Sequence, residues 1–90
     1  MTISRKKNII NSFTEICNKY KKEGTTTEFY SEVQRYLLNI GLPGIKRVTD
    51  KLDEIYVSYH NKGFGNAEGI NFINEVEKVG RDNLEKILNP

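Results

Sequence analysis

Apolar residues recur at helical spacing along four stretches of the chain, and polar residues occupy the positions between them. In the first stretch they fall at i, i+1, i+4, i+7, i+8 and i+11, which predicts one face of a helix over residues 3–22. A second stripe predicts a helix over 27–40. The two stripes consist of Ile9, Ile10, Phe13, Ile16, Cys17 and Tyr20, and of Phe29, Val33, Tyr36, Leu37 and Ile40, with Leu38 widening the second.

The second half of the chain predicts two more amphipathic helices, over 44–62 and 67–88, joined by a loop at residues 63–66. Neither helix keeps its apolar stripe away from water alone, so each needs a partner. Phe64 in the loop is a candidate for covering the end of the core. The stripes consist of Ile45, Val48, Leu52, Ile55, Tyr56 and Tyr59, and of Ile70, Ile73, Val76, Gly80, Leu84 and Ile87.

Residues at the links carry helix start and stop signals. Thr25 and Glu28 match a capping box, which predicts the start of the second helix, and the hydroxyl of Thr26 or Thr27 is an alternative cap. Gly24 and Gly41 are placed to end the first and second helices. Leu42-Pro43-Gly44 is predicted as the turn between the second and third helices, and proline is tolerated where the third helix begins because its missing N–H donor would be unpaired in any case.

Four helical stripes, short links and the absence of a strand pattern predict an all-α protein. The expected architecture is an antiparallel up-down-up-down four-helix bundle, formed by residues 1–90 as a single domain. Gly80 lies on the apolar stripe of the fourth helix, where glycine costs about 1 kcal/mol against alanine. It indicates either a close approach by a neighbouring helix or a bend.

Composition changes this picture little. Of 90 residues, 37 % are hydrophobic and 29 % charged, as expected for a small bundle with much surface. The net charge is +2, with six Lys/Arg against two Glu in residues 1–24 and three Lys/Arg against five Asp/Glu in residues 66–90. The sequence contains no run of about 18 apolar residues, so it predicts no membrane span. Polar residues interrupt any signal-peptide centre, so the chain is expected to be cytoplasmic.

Few residues are candidates for chemistry. Cys17 is the only cysteine, which excludes an internal disulfide, and its place on the apolar stripe indicates a buried thiol. His60 is the only histidine, whereas zinc sites need three or four ligands. It is expected to act as a charged residue near a helix C-terminus. We expect no catalytic residue, no metal site and no cofactor, and therefore no enzyme.

Two surface features remain for binding. Tyr30 and Phe72 lie beside the main stripes: core filling is the default for each, and an exposed aromatic patch for a protein partner is the alternative. The first helix has basic clusters at residues 5–7 and 19–22, about twelve residues apart. Nucleic-acid binding is not expected, since no motif accompanies them and the overall charge is low. A weak electrostatic association with the membrane surface is compatible with these clusters.

The second half of the chain carries a proline before the third helix, an Ile-x-Arg step after it, spaced tyrosines, and a Gly-Arg pair late in the fourth helix. These features comprise Pro43-Gly44-Ile45-Lys46-Arg47-Val48, Leu52, Ile55, Tyr56, Tyr59, Lys62, Ile73, Val76 and Val79-Gly80-Arg81. This pattern resembles the cytosolic immunity proteins of pediocin-like (class IIa) bacteriocins of Gram-positive bacteria.

The resemblance implies a four-helix bundle that protects the producer cell from its own bacteriocin. Proteins of this family engage the membrane permease of the mannose phosphotransferase system once the bacteriocin has docked on it. Their specificity tends to lie in the second half of the chain. Many continue after the fourth helix, whereas this sequence stops at Pro90, so another mode of recognition or another subgroup is expected. By analogy the candidate partner-binding residues are Lys46, Arg47, Tyr56, Lys62, Phe64 and Arg81.

Two other functions remain open. The chain is alternatively a small helical interaction or regulatory module, such as an antitoxin-like adaptor that binds a soluble protein. A nucleic-acid-binding bundle led by the basic first helix is a third reading, which binding that weakens steeply with salt would support.

Overall fold

A computed structural model describes residues 3–22, 25–63 and 66–89, with the side chains of residues 66 and 67 left out of account. The four helices are α1 (Ile3–Lys22), α2 (Thr26–Ile40), α3 (Ile45–Lys62) and α4 (Asn66–Leu88). Within these ranges all regular secondary structure is α-helix and no residue lies in a strand, which confirms the predicted all-α class. The last residue of each of the four helices is the predicted one, and the first residue of each lies within one position of the predicted start. Gly24 and Phe64 lie outside the described residues.

The predicted caps of α2 are confirmed. Thr25 has extended backbone (φ −108°, ψ 157°), and its hydroxyl accepts a hydrogen bond from the backbone N–H of Glu28. This bond, 3.1 Å long, satisfies one of the donors that a helix start leaves unpaired. At the other end, Gly41 takes the left-handed conformation (φ 59°) that ends many helices.

The link between α2 and α3 is a turn at Leu42-Pro43-Gly44, as predicted. Pro43 precedes α3, which begins at Ile45, so it is not the residue that opens the helix. The N–H of Ile45 donates to the carbonyl of Leu42 over 3.1 Å, and Gly44 has φ 84° and ψ 2°. These angles are those of a type II turn with Pro43 and Gly44 at its centre. Proline presets the first central position, and the positive φ of the second favours glycine.

The core lies between α4 and the other three helices. Helix α4 packs most extensively against α3 and α1, while α1 and α3, in the described residues, approach α4 rather than each other. Large apolar side chains from all four helices fill the interior. The fully buried ones are Phe13, Cys17, Phe29, Val33, Leu37, Val48, Leu52, Phe72, Val76 and Leu84.

Two positions differ from the predicted burial. Leu38 and Ile70 were expected on core stripes, but they are 65 % and 51 % exposed. Leu38 lies about a third of a turn, and Ile70 about a quarter of a turn, from the centre of its helix's buried face. Tyr30 and Phe72 fill the core, as the default reading predicted, and the alternative of an exposed patch is wrong, since they are 7 % and 0 % exposed. Their rings fill the space between α2, α3 and α4 near one end of the protein.

No helix in the described ranges combines the length and the apolar character needed to cross a bilayer.

Gly80 marks the close approach of α1 to α4, so the first of its two predicted explanations holds. A Cβ atom built at Gly80 would lie 2.3 Å from Cζ and 2.8 Å from Cε2 of Phe13. The Phe13 ring therefore occupies the space that any other side chain at Gly80 would need. The ring is fully buried, so it has little room to retreat.

We predict that Gly80→Ala lowers the free energy of unfolding by about 1–3 kcal/mol, because overpacking outweighs the gain in helix propensity. Urea denaturation measures the change. Gly69→Ala is the matched control, since the nearest atom to its added Cβ, Cγ2 of Thr26, is 3.4 Å away. That variant should be neutral or stabilised by up to about 1 kcal/mol.

Adding Phe13→Leu to Gly80→Ala should recover part of the loss, since the two positions compete for one volume. Equal stability of the Gly80 and Gly69 variants would contradict the close-approach explanation.

Candidate partner-binding surface

Six aromatic side chains meet at one end of the protein. They come from the last turns of α1 and α3 and the first turns of α2 and α4, so this end is called the aromatic end. Phe72 lies at the centre: its ring centroid is 5.9 Å from that of Phe29 and 5.5 Å from that of Tyr59, both in tilted or edge-on geometry. Such pairs add stabilisation beyond their buried area. The members are Tyr20, Phe29, Tyr30, Tyr56, Tyr59 and Phe72.

Tyr56 is the middle ring of a stack that runs from the core to the surface. Its ring lies 4.6 Å from that of Tyr30, nearly parallel at 7°, and 5.8 Å from that of His60 at 18°. Tyr30 is buried, Tyr56 is half-buried and His60 is exposed. A partner would therefore meet His60 and only one edge of Tyr56.

Two hydrogen bonds to Asp53 of α3 link α2 to α3 beside this stack. The hydroxyl of Tyr30 donates a short hydrogen bond to Oδ1 of Asp53, and Nε2 of Gln34 donates to the same oxygen over 3.1 Å. Burial and, second, the bond to Asp53 raise the pKa of the Tyr30 phenol above its ordinary value. The phenol therefore stays protonated and uncharged at neutral pH, and its hydrogen bond to Asp53 links α2 to α3.

Two of the predicted contact residues, Tyr56 and Lys62, lie at the aromatic end of α3. The ammonium of Lys62 is 5.8 Å from the ring centroid of Tyr59, a weak cation–π contact that leaves most of the lysine exposed. Phe64, predicted beside them, lies outside the described residues.

Lys46 and Arg47 lie at the opposite end of α3. Sixteen residues separate Lys46 from Lys62, which at 1.5 Å per residue is about 24 Å along the helix. Lys46 donates to Oδ2 of Asp50 over 2.9 Å, and this hydrogen bond raises the pKa of the lysine. Arg47 is exposed. These two residues do not share one contact patch with Tyr56 and Lys62.

Arg81 is exposed, but it lies on the side of α4 that faces α1. Its neighbours on that side show this: Gly80 packs on Phe13, and Glu77 forms a 2.9 Å ion pair with Lys21. The five predicted residues that the structure describes therefore occupy three separate places, and the structure does not bring them together.

Charge is distributed along the length of the protein in a way that sequence reasoning missed. We call residues 3–12, 35–51 and 79–89 the basic half, because contacts such as Lys6–Asn89, Tyr36–Ile9 and Gly44–Ile87 bring them together. This half holds nine Lys/Arg and three Asp/Glu, a net charge of +6.

The acidic half comprises residues 13–22, 25–34, 52–63 and 66–78, which contacts such as Lys19–Glu32 and Lys21–Glu77 bring together. It holds five Lys/Arg and eight Asp/Glu, a net charge of −3. Summing charge over whole terminal segments hid this polarity, because α1 and α4 lie side by side. Summing it over half-helices grouped by these contacts would have revealed it.

The described residues offer little to catalysis. They contain no group of three or more histidine, cysteine, aspartate or glutamate side chains arranged to hold a metal ion. Cys17 is fully buried, as predicted. Burial, and then the charge of Glu77, raises the pKa of its thiol to about 12, while Lys21 and Arg81 partly oppose that rise. A thiol of this kind is a poor nucleophile at neutral pH.

Comparison of the chain with protein-family models, with curated proteins and with solved structures found no match. The functional proposals therefore rest on the residue pattern and on the surface described above.

We predict that Cys17 reacts with a thiol reagent at neutral pH only when the protein opens. In the native protein the rate should fall at least about 100-fold below that in urea, because thiolate and access are both lacking. The absorbance of the aromatic thiol that the reagent releases measures the rate of this reaction. Gly80→Ala should react faster than wild type, since it loosens the α1–α4 contact beside Cys17. Equal rates in native and unfolded protein would contradict the burial of this thiol.

The same pKa shift predicts how stability depends on pH. The folded thiol has the higher pKa, so its contribution is complete below the ordinary value of 9.0 and is lost as pH rises toward about 12. Cys17→Ala should therefore show a shallower loss of stability than wild type just above pH 9. Urea titrations at successive pH values measure both slopes, and identical slopes would contradict the shift.

Proposed function

We propose that this protein is a cytoplasmic immunity protein, which protects its producer from a pediocin-like bacteriocin by binding the bacteriocin-engaged permease of the mannose phosphotransferase system. The proposal makes it a binding protein and not an enzyme, with no cofactor. The observation that carries it is the residue pattern from Pro43 to Arg81, which resembles that family of immunity proteins.

The packing of this pattern supports the proposal. Its apolar members, including Val48, Leu52 and Val76, are buried where α3 and α4 form the most extensive helix pair. Its charged members Arg47 and Arg81 remain exposed. The pattern thus divides into residues that hold two helices together and residues that are free to meet a partner.

We further propose that the helices form the antiparallel up-down-up-down bundle expected of such a protein. Neighbouring helices are joined start to end by several contacts. Near one end, Lys6 of α1 donates to Asn89, which follows α4, over 2.9 Å. Near the other, Lys19 of α1 lies 3.7 Å from Glu32 of α2. This order agrees with the contacts between α2 and α3 at Tyr30 and Asp53.

The distance between the predicted contacts divides the candidate binding surface of α3 into two patches. Lys46 and Arg47 form one candidate patch at the start of α3, and Tyr56 and Lys62 form another at its end. A permease–bacteriocin complex large enough to span about 24 Å would contact both; a smaller epitope would use one.

Expression in a sensitive strain tests the proposal. Cells that carry the protein should survive a raised concentration of at least one pediocin-like bacteriocin, measured as the minimal inhibitory concentration. Arg47→Gln and Lys62→Gln, made separately, show which patch matters, because each removes one exposed charge at one end of α3. Each charge lost from a contact centre should reduce protection about tenfold or more.

Lys22→Gln and Arg35→Gln are matched controls, since each removes an exposed charge from α1 or α2. They should leave protection unchanged. Absence of protection against a broad panel, with folded protein present at wild-type level, would contradict the proposal.

The exposed aliphatic residues Leu38 and Val57, on α2 and α3, favour a second candidate, a helical adaptor that binds a soluble protein. Affinity capture from cells distinguishes the two. Recovery of a permease component only after bacteriocin treatment supports the immunity proposal. Recovery of one soluble partner in both conditions, lost in Leu38→Ser, supports the adaptor.

A further inference from the structure

From the lengthwise charge polarity we propose that the tip of the basic half docks on the surface of an anionic lipid bilayer. The inference concerns lipid alone, so it holds or fails independently of any permease or bacteriocin. It specifies an end of the protein and an orientation, with the acidic half directed away from the membrane.

The first argument is the scale of the polarity. The protein measures 40 × 23 × 19 Å, and its helices run along the longest dimension, since α4 alone is about 34 Å long. The described residues carry a net charge of +6 in one half and −3 in the other, and Glu23, which lies outside them, brings the total to +2. The overall charge is therefore a poor guide to the surface potential at either end of the protein. An anionic plane would attract one end and repel the other.

The second argument is that basic residues occupy the first turns of two helices at this end. The first turns of α1 and α3 contain no acidic residue. They contain Arg5 and Lys6 in α1, and Lys46 and Arg47 in α3. The N-terminus of a helix carries partial positive charge, so cations there oppose the helix dipole, and an anionic surface at this end would offset that repulsion.

The third argument distinguishes a bilayer from a nucleic acid. Ile3 is 73 % exposed and directly precedes the basic cluster at residues 5–7, and Leu38, 65 % exposed, lies in the last turn of α2 at the same end. Aliphatic side chains beside basic ones suit the boundary between headgroups and acyl chains. A phosphate backbone offers them nothing comparable, since its contacts are polar and ionic.

An open groove at the same end supports a lipid contact. It lies between the start of α1 and the end of α4 and has a volume of about 200 Å³. Its lining holds two cations and one carboxylate with apolar and amide side chains: Lys6, Lys7, Ile10, Asn11, Glu85, Leu88 and Asn89. Lys6 also donates to Oδ1 of Asn89 across this groove. Cationic and apolar lining together match a headgroup phosphate and the carbons next to it.

Vesicle co-sedimentation tests the proposal with two variants of equal net charge. The triple variant Lys6→Gln, Lys7→Gln, Lys86→Gln removes three charges from the basic half. The control, Lys22→Gln, Lys62→Gln, Lys78→Gln, removes three from the acidic half. Both change the net charge from +2 to −1, so total charge cannot explain a difference between them. None of the three positions changed in the basic-half variant belongs to the predicted permease contacts.

Wild type should bind vesicles of equal parts phosphatidylglycerol and phosphatidylcholine at about 0.1 M salt, where the Debye length is about 10 Å, and bind pure phosphatidylcholine far more weakly. The basic-half variant should lose about 100-fold in affinity for the anionic vesicles. The control variant should change by no more than about fivefold, because its charges lie beyond a Debye length from the bilayer.

A fluorescent probe tests the orientation, because the chain has no tryptophan of its own. Ile3→Trp should shift its emission to shorter wavelength when anionic vesicles are added. Ile70→Trp, at a 51 % exposed position in the acidic half, should not. Both replaced side chains are exposed, so neither change disturbs the core.

Three outcomes would overturn the proposal: no binding to anionic vesicles, equal losses in the two triple variants, or an equal emission shift at both tryptophan positions. Salt-sensitive binding to an RNA or DNA oligonucleotide, without vesicle binding, would also overturn it and assign the basic half to nucleic acid.

Discussion

The contact between the Phe13 ring and the bare backbone at Gly80 sets how closely α1 approaches α4. Helix α4 is the element that all the others pack against, so the distance between these two helices fixes where α1 stands in the core. The charged and polar contacts on either side of that point, Lys21 with Glu77 and Lys6 with Asn89, are possible only when α1 lies close along α4. A glycine that weakens its own helix thus allows the packing of two helices.

The two ends of the protein differ in what holds them and in what they present. At the aromatic end, rings from all four helices pack together, and the Tyr30–Asp53 bond closes the seam between α2 and α3. At the other end the type II turn at Pro43 and Gly44 rests against Ile87, whose Cγ2 lies 3.2 Å from a Cβ placed at Gly44. The first end is built mainly of aromatic contacts, and the second carries most of the surplus positive charge.

The sequence predicted the helices well, because their ends are encoded by local chemistry. Thr25 and Glu28 form a cap whatever the rest of the chain does, and Gly41 ends α2 in the same local way. The errors arose where tertiary packing decides. Leu38 and Leu37 are adjacent and equally apolar, and only the position of the neighbouring helices determines which one is buried. Tyr30 and Phe72 needed the same information.

The candidate site was less predictable than the fold for a related reason. Lys46, Arg47, Tyr56, Lys62 and Arg81 were chosen by their order in a pattern, whereas a binding surface depends on their distance in space. Periodicity alone already placed Lys46 and Lys62 four turns apart, but the position of Arg81 on the α1 side of α4 required the packed structure. The lengthwise polarity likewise appears only once half-helices are grouped by contact.

The gathering of rings at one end has an optical consequence. With tryptophan absent and four of the five tyrosines in the aromatic cluster, near-ultraviolet circular dichroism and absorbance arise mostly from that end. The close, nearly parallel Tyr30 and Tyr56 rings couple their transitions and should dominate the circular dichroism. Unmodified protein therefore carries a built-in spectroscopic reporter of one tip, and events confined to the opposite half will change the signal mainly through Tyr36.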